Sequence, residues 1–243
     1  MRINRIYTEA DLQPNSDIQL EAGPSLHLLK VLRLKTGAPL ELFNGDGNNY
    51  ACELLDSPKR TANVRVLSAQ PNPTESSLRS ALGIVVSKGD RMDFVVQKAT
   101  ELGIHEIYPL TSERCDVKLN AERSEKRQQH WLKVAIAACE QSGRSRIPSI
   151  APIQSIQKWT REISADLKWV LHHRATADKS PTEAQSVAIL VGPEGGLSEA
   201  EVELALQHHF IPTVLGPRVL RTETAPLVAL SVLQQRYGDF TLI

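Results

Sequence analysis

Two short stretches gather chemically capable residues beside glycines. One is Gly192-Pro193-Glu194-Gly195-Gly196-Leu197-Ser198-Glu199-Ala200-Glu201, the other Leu215-Gly216-Pro217-Arg218-Val219-Leu220-Arg221-Thr222-Glu223-Thr224-Ala225-Pro226. Apolar residues that run into glycines and then into a helix start are the order in which many α/β proteins cradle a phosphate. That chemistry is disfavoured here. A phosphate loop needs G-x-x-x-x-G-K-[ST] and a dinucleotide fold needs G-x-G-x-x-G, and neither occurs. Ser198 and Glu201 have capping-box spacing, which occupies the first free N–H groups of the helix, and Glu194, Glu199 and Glu201 repel an anion. A ligand with positive charge and many hydrogen-bonding edges suits these surroundings, because Gly192, Gly195 and Gly196 let the main chain come close. Taken alone, the first loop reads equally well as an ordinary tight turn. The second adds Arg218, Arg221 and Glu223 in the crevice expected at the carboxyl ends of parallel strands. Two such loops after neighbouring strands can face each other across one pocket; the competing reading pairs Glu223 with Arg218 as a local surface contact.

Periodicity predicts the elements that must hold these loops. Ala81 to Ser87 is an apolar, strand-like run. Asp90 to Leu102 carries Met92, Val95, Val96, Ala99 and Leu102 at helical spacing, with Asp90 as cap and Gly103 as stop. Ile104 to Leu110 follows as a strand, so the unit is βαβ and implies a parallel sheet. A longer helix is expected over Ala121 to Ser142, ended by Gly143. Leu167 to His172, Val187 to Val191 and Thr213 to Leu215 are further strands, the last two leading into the glycine loops. Pro226 suits the first turn of the final helix, with Thr222 or Thr224 as its cap. Upstream, Pro39 to Phe43 and Tyr50 to Leu54 flank Asn44-Gly45-Asp46-Gly47, a hairpin signal because these residues tolerate positive φ. With a strand at Ala62 to Leu67 and a short helix around Ser25 to Leu34, this part reads as small and mostly β. Ser68 to Ser77, rich in Pro and small polar residues, reads as the connection. The division expected is residues 1–70 and 78–243, the second an α/β domain.

The 28 basic and 28 acidic residues cancel, so no global field draws in nucleic acid or membrane, and an anionic partner must meet a local patch. Only residues 78–150 are net positive, with twelve basic against nine acidic residues. Arg114, Lys118, Arg123, Lys126, Arg127, Lys133, Arg144 and Arg146 there could form a phosphate-contacting stripe. For Lys126 and Arg127 a solvated helix face is the better reading, whereas Arg144 and Arg146, just past a helix end, are expected to reach outward. Cys52, Cys115 and Cys139 have no C-x-x-C spacing and predict neither a disulfide framework nor a zinc site. His172-His173 and His208-His209 are adjacent pairs whose side chains diverge, so no metal is expected. No apolar leader or bilayer-length segment occurs, and a cytoplasmic location is expected.

The two loops together closely resemble those of the ribosomal RNA small-subunit methyltransferase E group, the N3-uridine methyltransferases of the SPOUT superfamily. The resemblance extends to Glu101-Leu102-Gly103, Pro109-Leu110, Ser112-Glu113-Arg114-Cys115, Ala137 to Arg144 and His27 to Arg33. Departures are His173, where the family pattern has proline, and Pro226 in place of a small residue. The resemblance implies a SPOUT domain with a deep trefoil knot over residues 78–243 and a PUA-like RNA-binding β-barrel in the N-terminal part. It implies S-adenosylmethionine as cofactor, held by Leu171, Gly192, Pro193, Glu194, Gly196, Leu215, Gly216, Val219, Leu220, Thr224 and Ala225. It also implies a homodimer that methylates N3 of a uridine in small-subunit ribosomal RNA, free or assembled, during ribosome biogenesis. Arg221 is the expected stabiliser of a uridine carbonyl oxygen, and Glu223 or Glu194 the expected proton acceptor or orienting group. Arg33, Arg144 and Arg146 are expected RNA contacts. Two other functions compete with this one. A non-catalytic ribosome-assembly factor on the same fold has no need of both intact loops, and a dehydrogenase lacks its fingerprint.

Overall fold

The computed structural model describes residues 3–58, 60–115, 120–172 and 180–241; Lys118 and His173 lie outside the described residues. The chain divides into two compact units, Met1–Glu75 with Cys139–Ile147, and Ser76–Ala138 with Pro148–Ile243.

The first unit is a five-stranded sheet. Its strands are β1 (Asn4–Tyr7), β2 (Asp17–Gln19), β3 (Pro39–Phe43), β4 (Asn48–Leu54) and β5 (Asn63–Pro71), in the order β1-β3-β4-β5-β2. The expected hairpin is present as the antiparallel β3–β4 pair, with Leu40 opposite Cys52. Gly45 and Gly47 take φ of 94° and 96° at its tip. β5 runs on to Pro71, so the first residues of the expected connection are strand, paired with β4 through a bulge at Ala51/Cys52. The predicted helix begins early, as α1 (Ala22–Leu26), and continues as a π-helical turn over His27–Val31. The alternate residues Leu40, Leu42, Cys52, Leu54, Val64 and Val66 supply the core.

The second unit is a seven-stranded sheet whose pairings are all parallel. Along the chain run β6 (Arg79–Val85), α2 (Arg91–Glu101), β7 (Glu106–Thr111), α3 (Ala121–Ser142), β8 (Ser149–Ile150), β9 (Gln154–Ser155) and α4 (Ile156–Glu162). Then follow β10 (Leu167–Leu171), β11 (Ser186–Val191), α5 (Glu199–Gln207), β12 (Ile211–Thr213) and α6 (Ala225–Tyr237). The strand order is β12-β10-β11-β6-β7-β8, with β9 also on β7. α2 buries the predicted stripe Met92, Val95, Val96 and Ala99, and Gly103 at φ 86° ends it. Asp90 occupies the N-cap position, but its side chain makes no capping hydrogen bond. Thr224 likewise stands at the N-cap of α6 without capping it; the first turn there is set by Pro226, which needs no N–H partner. β8, β9 and α4 were not predicted: two-residue strands carry no readable alternation, and the seven residues of α4 are too few to establish a helical period.

α4 matters to the core through Trp159, which lies between Tyr108 and Phe210 with ring centroids 5.8 and 5.7 Å away. On Gly83 of β6 a Cβ would sit 2.6 Å from that indole. The strand glycine is therefore there for close approach. Gly83→Ala is expected to cost about 1–3 kcal/mol by overpacking, read as a lower urea midpoint; an unchanged midpoint would show that the indole yields.

Candidate active site

The carboxyl ends of β10, β11 and β12 open into one cavity of about 760 Å³. β11 leads into Gly192–Gly196, where the Gly196 N–H donates to the Pro193 carbonyl at 2.8 Å and Gly196 takes φ of 71°. Leu197 packs where a Cβ on Gly192 would stand, 2.9 Å from its Cγ. The capping box is formed: the Ser198 N–H donates to Glu201 Oε2 at 2.9 Å and the Glu201 N–H to Ser198 Oγ at 3.3 Å. Glu201 is thereby buried, and its Oε1 accepts from the Glu113 N–H at 2.8 Å. Of the three acids expected to repel an anion, only Glu194 lines the cavity; the reason is that the cap turns Glu201 inward. The N-terminal donors of α5 are nonetheless taken, so this helix start is no phosphate cradle.

Most of the predicted residues lie on this cavity wall. Leu171, Gly192, Pro193, Glu194 and Gly196 line one side, and Leu215, Gly216, Val219, Leu220 and Ala225 the other. Arg221 and Glu223 are on it as well, whereas Thr224 is not. Its N–H donates to the Arg221 carbonyl at 2.9 Å, starting α6 and turning the residue off the wall. The Arg221 side chain is exposed and makes no hydrogen bond or ion pair among the described residues. Leu171, Val191, Leu197, Leu215 and Leu220 make part of the wall apolar, and the glycine-bearing loops together with Arg91, Glu194, Arg221 and Glu223 supply polar groups, a combination suited to a flat, polar-edged heterocycle.

Two residues not expected here also stand on the wall. Arg91, the first residue of α2, pairs with Glu194 and lies 3.8 Å from Glu223 through its Nε, so one guanidinium joins the acids of both glycine loops. Arg91 could have been found as a cation following the Gly89 turn at the end of a predicted parallel strand. Arg114, assigned from sequence to a phosphate stripe, instead donates to the Gly195 carbonyl at 3.0 Å and the Leu197 carbonyl at 3.4 Å, bracing the first loop.

The expected RNA contacts divide. Arg33 is exposed, at φ 52°, and Arg146 is exposed. Arg144 is buried at 3% exposure, and this corrects its assignment as an outward-reaching group. Its Nη2 lies 2.9 Å from Glu75 Oε2, while Glu75 Oε1 accepts from the Ser145 and Arg146 N–H groups at 3.0 and 2.9 Å. Arg5 donates to the Arg144 carbonyl at 3.0 Å, and burial lowers the pKa of that guanidinium. Arg144 therefore belongs to a structural network of the first unit. Burial also pushes the Cys52 and Cys139 thiols up to about 12, which leaves neither as a thiolate nucleophile near neutral pH.

Residues 74–234 match an RNA methyltransferase domain family and residues 25–67 an RNA methyltransferase PUA domain. A Buchnera aphidicola (subsp. Schizaphis graminum) protein named ribosomal RNA small subunit methyltransferase E is 38% identical, over 99% of both chains. The Bacillus subtilis protein of that name is 32% identical over 88% of this chain and 91% of its own. A Legionella pneumophila protein solved in complex with the bound cofactor SAM superposes with a TM-score of 0.94 at 40% identity over 99% of this chain and 100% of its own. The ribosomal RNA small subunit methyltransferase E of Neisseria gonorrhoeae, bound to S-adenosyl methionine, superposes at 0.92 with 34% identity over the same shares.

Proposed function

The chain belongs to the ribosomal RNA small subunit methyltransferase E family, and from that membership we propose that it transfers a methyl group from S-adenosylmethionine to N3 of a uridine in small-subunit ribosomal RNA. The observation that carries this reading is the convergence of Gly192–Gly196 and Leu215–Glu223 on one cavity that also holds Arg221 and Glu223. The cofactor fits the residues present. The spaces beside Gly196 and Gly216, where side chains would project, hold no atom within 4 Å, and about 760 Å³ lies in the range of cofactor sites. Leu171, Gly192, Leu215 to Leu220 and Ala225 would hold it, largely through backbone edges.

When bound, S-adenosylmethionine supplies an already activated methyl group on a sulfonium. The protein's task is then alignment and handling of one proton. Uridine N3 is a poor nucleophile while it carries hydrogen, so a base must take that proton or a cation must stabilise the anion that forms. Arg221 hydrogen-bonds the adjacent carbonyl oxygen as negative charge develops on it. Glu223 takes the proton: it is the more enclosed carboxylate, at 19% side-chain exposure against 45% for Glu194. Glu194, paired with Arg91, orients the shared wall. The base leaves its stack to reach this cavity, which favours a single-stranded or loop nucleotide.

The same membership supports the knotted SPOUT topology, a homodimer, a cytoplasmic location and a role in ribosome biogenesis. Arg33 and Arg146 are the remaining proposed RNA contacts of the first unit. The test is nucleoside mass spectrometry of small-subunit RNA incubated with the protein and labelled methyl donor. One labelled 3-methyluridine per RNA is expected; label on another atom or base would overturn the N3 assignment, and no label would overturn the enzymatic reading.

A further inference from the structure

Arg91, Arg114, Glu194 and Gly195 line a second cavity, of about 870 Å³, as well as the cofactor cleft. The rest of its lining is Val86, Lys88, Gly89 and Asp90 from the loop between β6 and α2. It lies at the carboxyl ends of β6 and β11. These strands are neighbours, yet in chain order β6 leads to β7 on one side while β11 leads to β12, which lies beyond β10 on the other. Loops leaving such a pair diverge, and the crevice between them is the place where open α/β sheets bind ligands.

We propose that this second cavity seats the ribose-phosphate part of the nucleotide that accepts the methyl group, with Lys88 and Arg91 meeting its phosphates and its base crossing the shared wall to Arg221 and Glu223; the inference rests on the RNA methyltransferase reading above. A transfer between two substrates needs donor and acceptor chambers with a common wall, and these two cavities have one. S-adenosylmethionine carries one carboxylate and no phosphate, so it answers at most one of the three cations grouped around the second chamber. Arg114 is committed to the carbonyls of Gly195 and Leu197. Arg91 touches Glu194 through Nη1 and approaches Glu223 through Nε, and a guanidinium has five N–H donors, so donors remain for a phosphate oxygen. Lys88 is exposed on the chamber side and is not part of the cofactor cleft's wall. Asp90, whose carboxylate does not cap α2, supplies an acceptor for a ribose hydroxyl. The chamber's volume lies within the range of about 300–1,000 Å³ that small-ligand sites occupy.

The experiment uses the full chain as Lys88→Glu and Arg91→Ala variants, with Arg91→Lys as the conservative control. Calorimetry gives the Kd for S-adenosylmethionine, and labelled-methyl transfer gives kcat and KM for small-subunit RNA. Binding titrations at several salt concentrations give the RNA affinity slope. The expected result is a cofactor Kd within about threefold of wild type for Lys88→Glu, which lies off the cofactor cleft, and an RNA KM raised about tenfold by each variant that loses a positive charge. The log-affinity against log-salt slope should be shallower by about one per lost contact, and Arg91→Lys should retain most of the RNA affinity. An unchanged RNA KM and slope overturns the proposal, and so does a Lys88→Glu loss that falls on the cofactor Kd instead, which would place the methionine end of the donor in this chamber. Should Arg91→Ala fail to fold, Lys88→Glu decides alone. A wild-type protein that takes up no methyl donor overturns the methyltransferase reading and this inference together; a working wild type with indifferent variants overturns this inference only.

Discussion

Replacing Arg221 by alanine slows methyl transfer by about 10²- to 10³-fold while leaving the affinity for S-adenosylmethionine within about threefold of wild type. The magnitude is that of removing one donor aimed at charge which develops only in the transition state. Such a group contributes little to ground-state binding, so the loss appears in kcat. The structure explains why the fold survives. Arg221 is exposed, its side chain makes no hydrogen bond or ion pair among the described residues, and its carbonyl, which accepts from the Thr224 and Ala225 N–H groups at 2.9 Å, is kept by alanine. Single-turnover transfer of labelled methyl, with calorimetry of cofactor binding, is the measurement. Turnover at the wild-type rate removes Arg221 from the mechanism, and lost cofactor affinity reassigns it to binding.

Arg144→Ala has its large effect on stability. Breaking a buried ion pair by deleting one partner leaves the other charge desolvated, at a cost of about 3–5 kcal/mol. Glu75 is the partner left behind, at 12% side-chain exposure against 4% for Arg144. Its Oε1 still holds the Ser145 and Arg146 N–H groups, but Oε2 has lost both its donors from Arg144, Nε at 3.2 Å and Nη2 at 2.9 Å. A thermal scan of the variant is expected to lose about 10 °C. Glu75→Gln in the Arg144→Ala background should recover part of that loss, because it removes the orphaned charge while keeping an acceptor. Arg146→Ala is the contrast. Its side chain is exposed, so it should melt with wild type and bind RNA more weakly with a shallower salt slope. A thermostable Arg144→Ala variant with weakened RNA binding would restore the sequence-based view of that residue.

The two arginines show where sequence reasoning succeeds and where it fails. The loops at Gly192–Gly196 and Leu215–Glu223 were legible because each is a local event: an apolar strand, glycines for the bend, then a helix start. The predicted strands preceding them exist, although β12 ends at Thr213 and starts two residues earlier than alternation suggested. The ionic partners were not legible. Glu75 precedes Arg144 by 69 residues, and Glu194 follows Arg91 by 103, so no window of periodicity contains both members of either pair. Capping failed at Asp90 and Thr224 for a related reason: residue type permits a cap, but the side chain turns only where its surroundings let it.

Local chemistry along the chain therefore determined by itself the longer strands and helices, the two glycine bends, the Ser198–Glu201 cap and the family to which the loops are similar. Tertiary structure alone decided that Arg144 is sealed beneath Glu75, that Arg91 ties the acids of both loops, and that Glu201 faces inward. The physical reason is range. Backbone preference and hydrophobic period act over one or two turns, whereas the fate of a charge depends on which distant group shares its low-dielectric surroundings, and folding settles that.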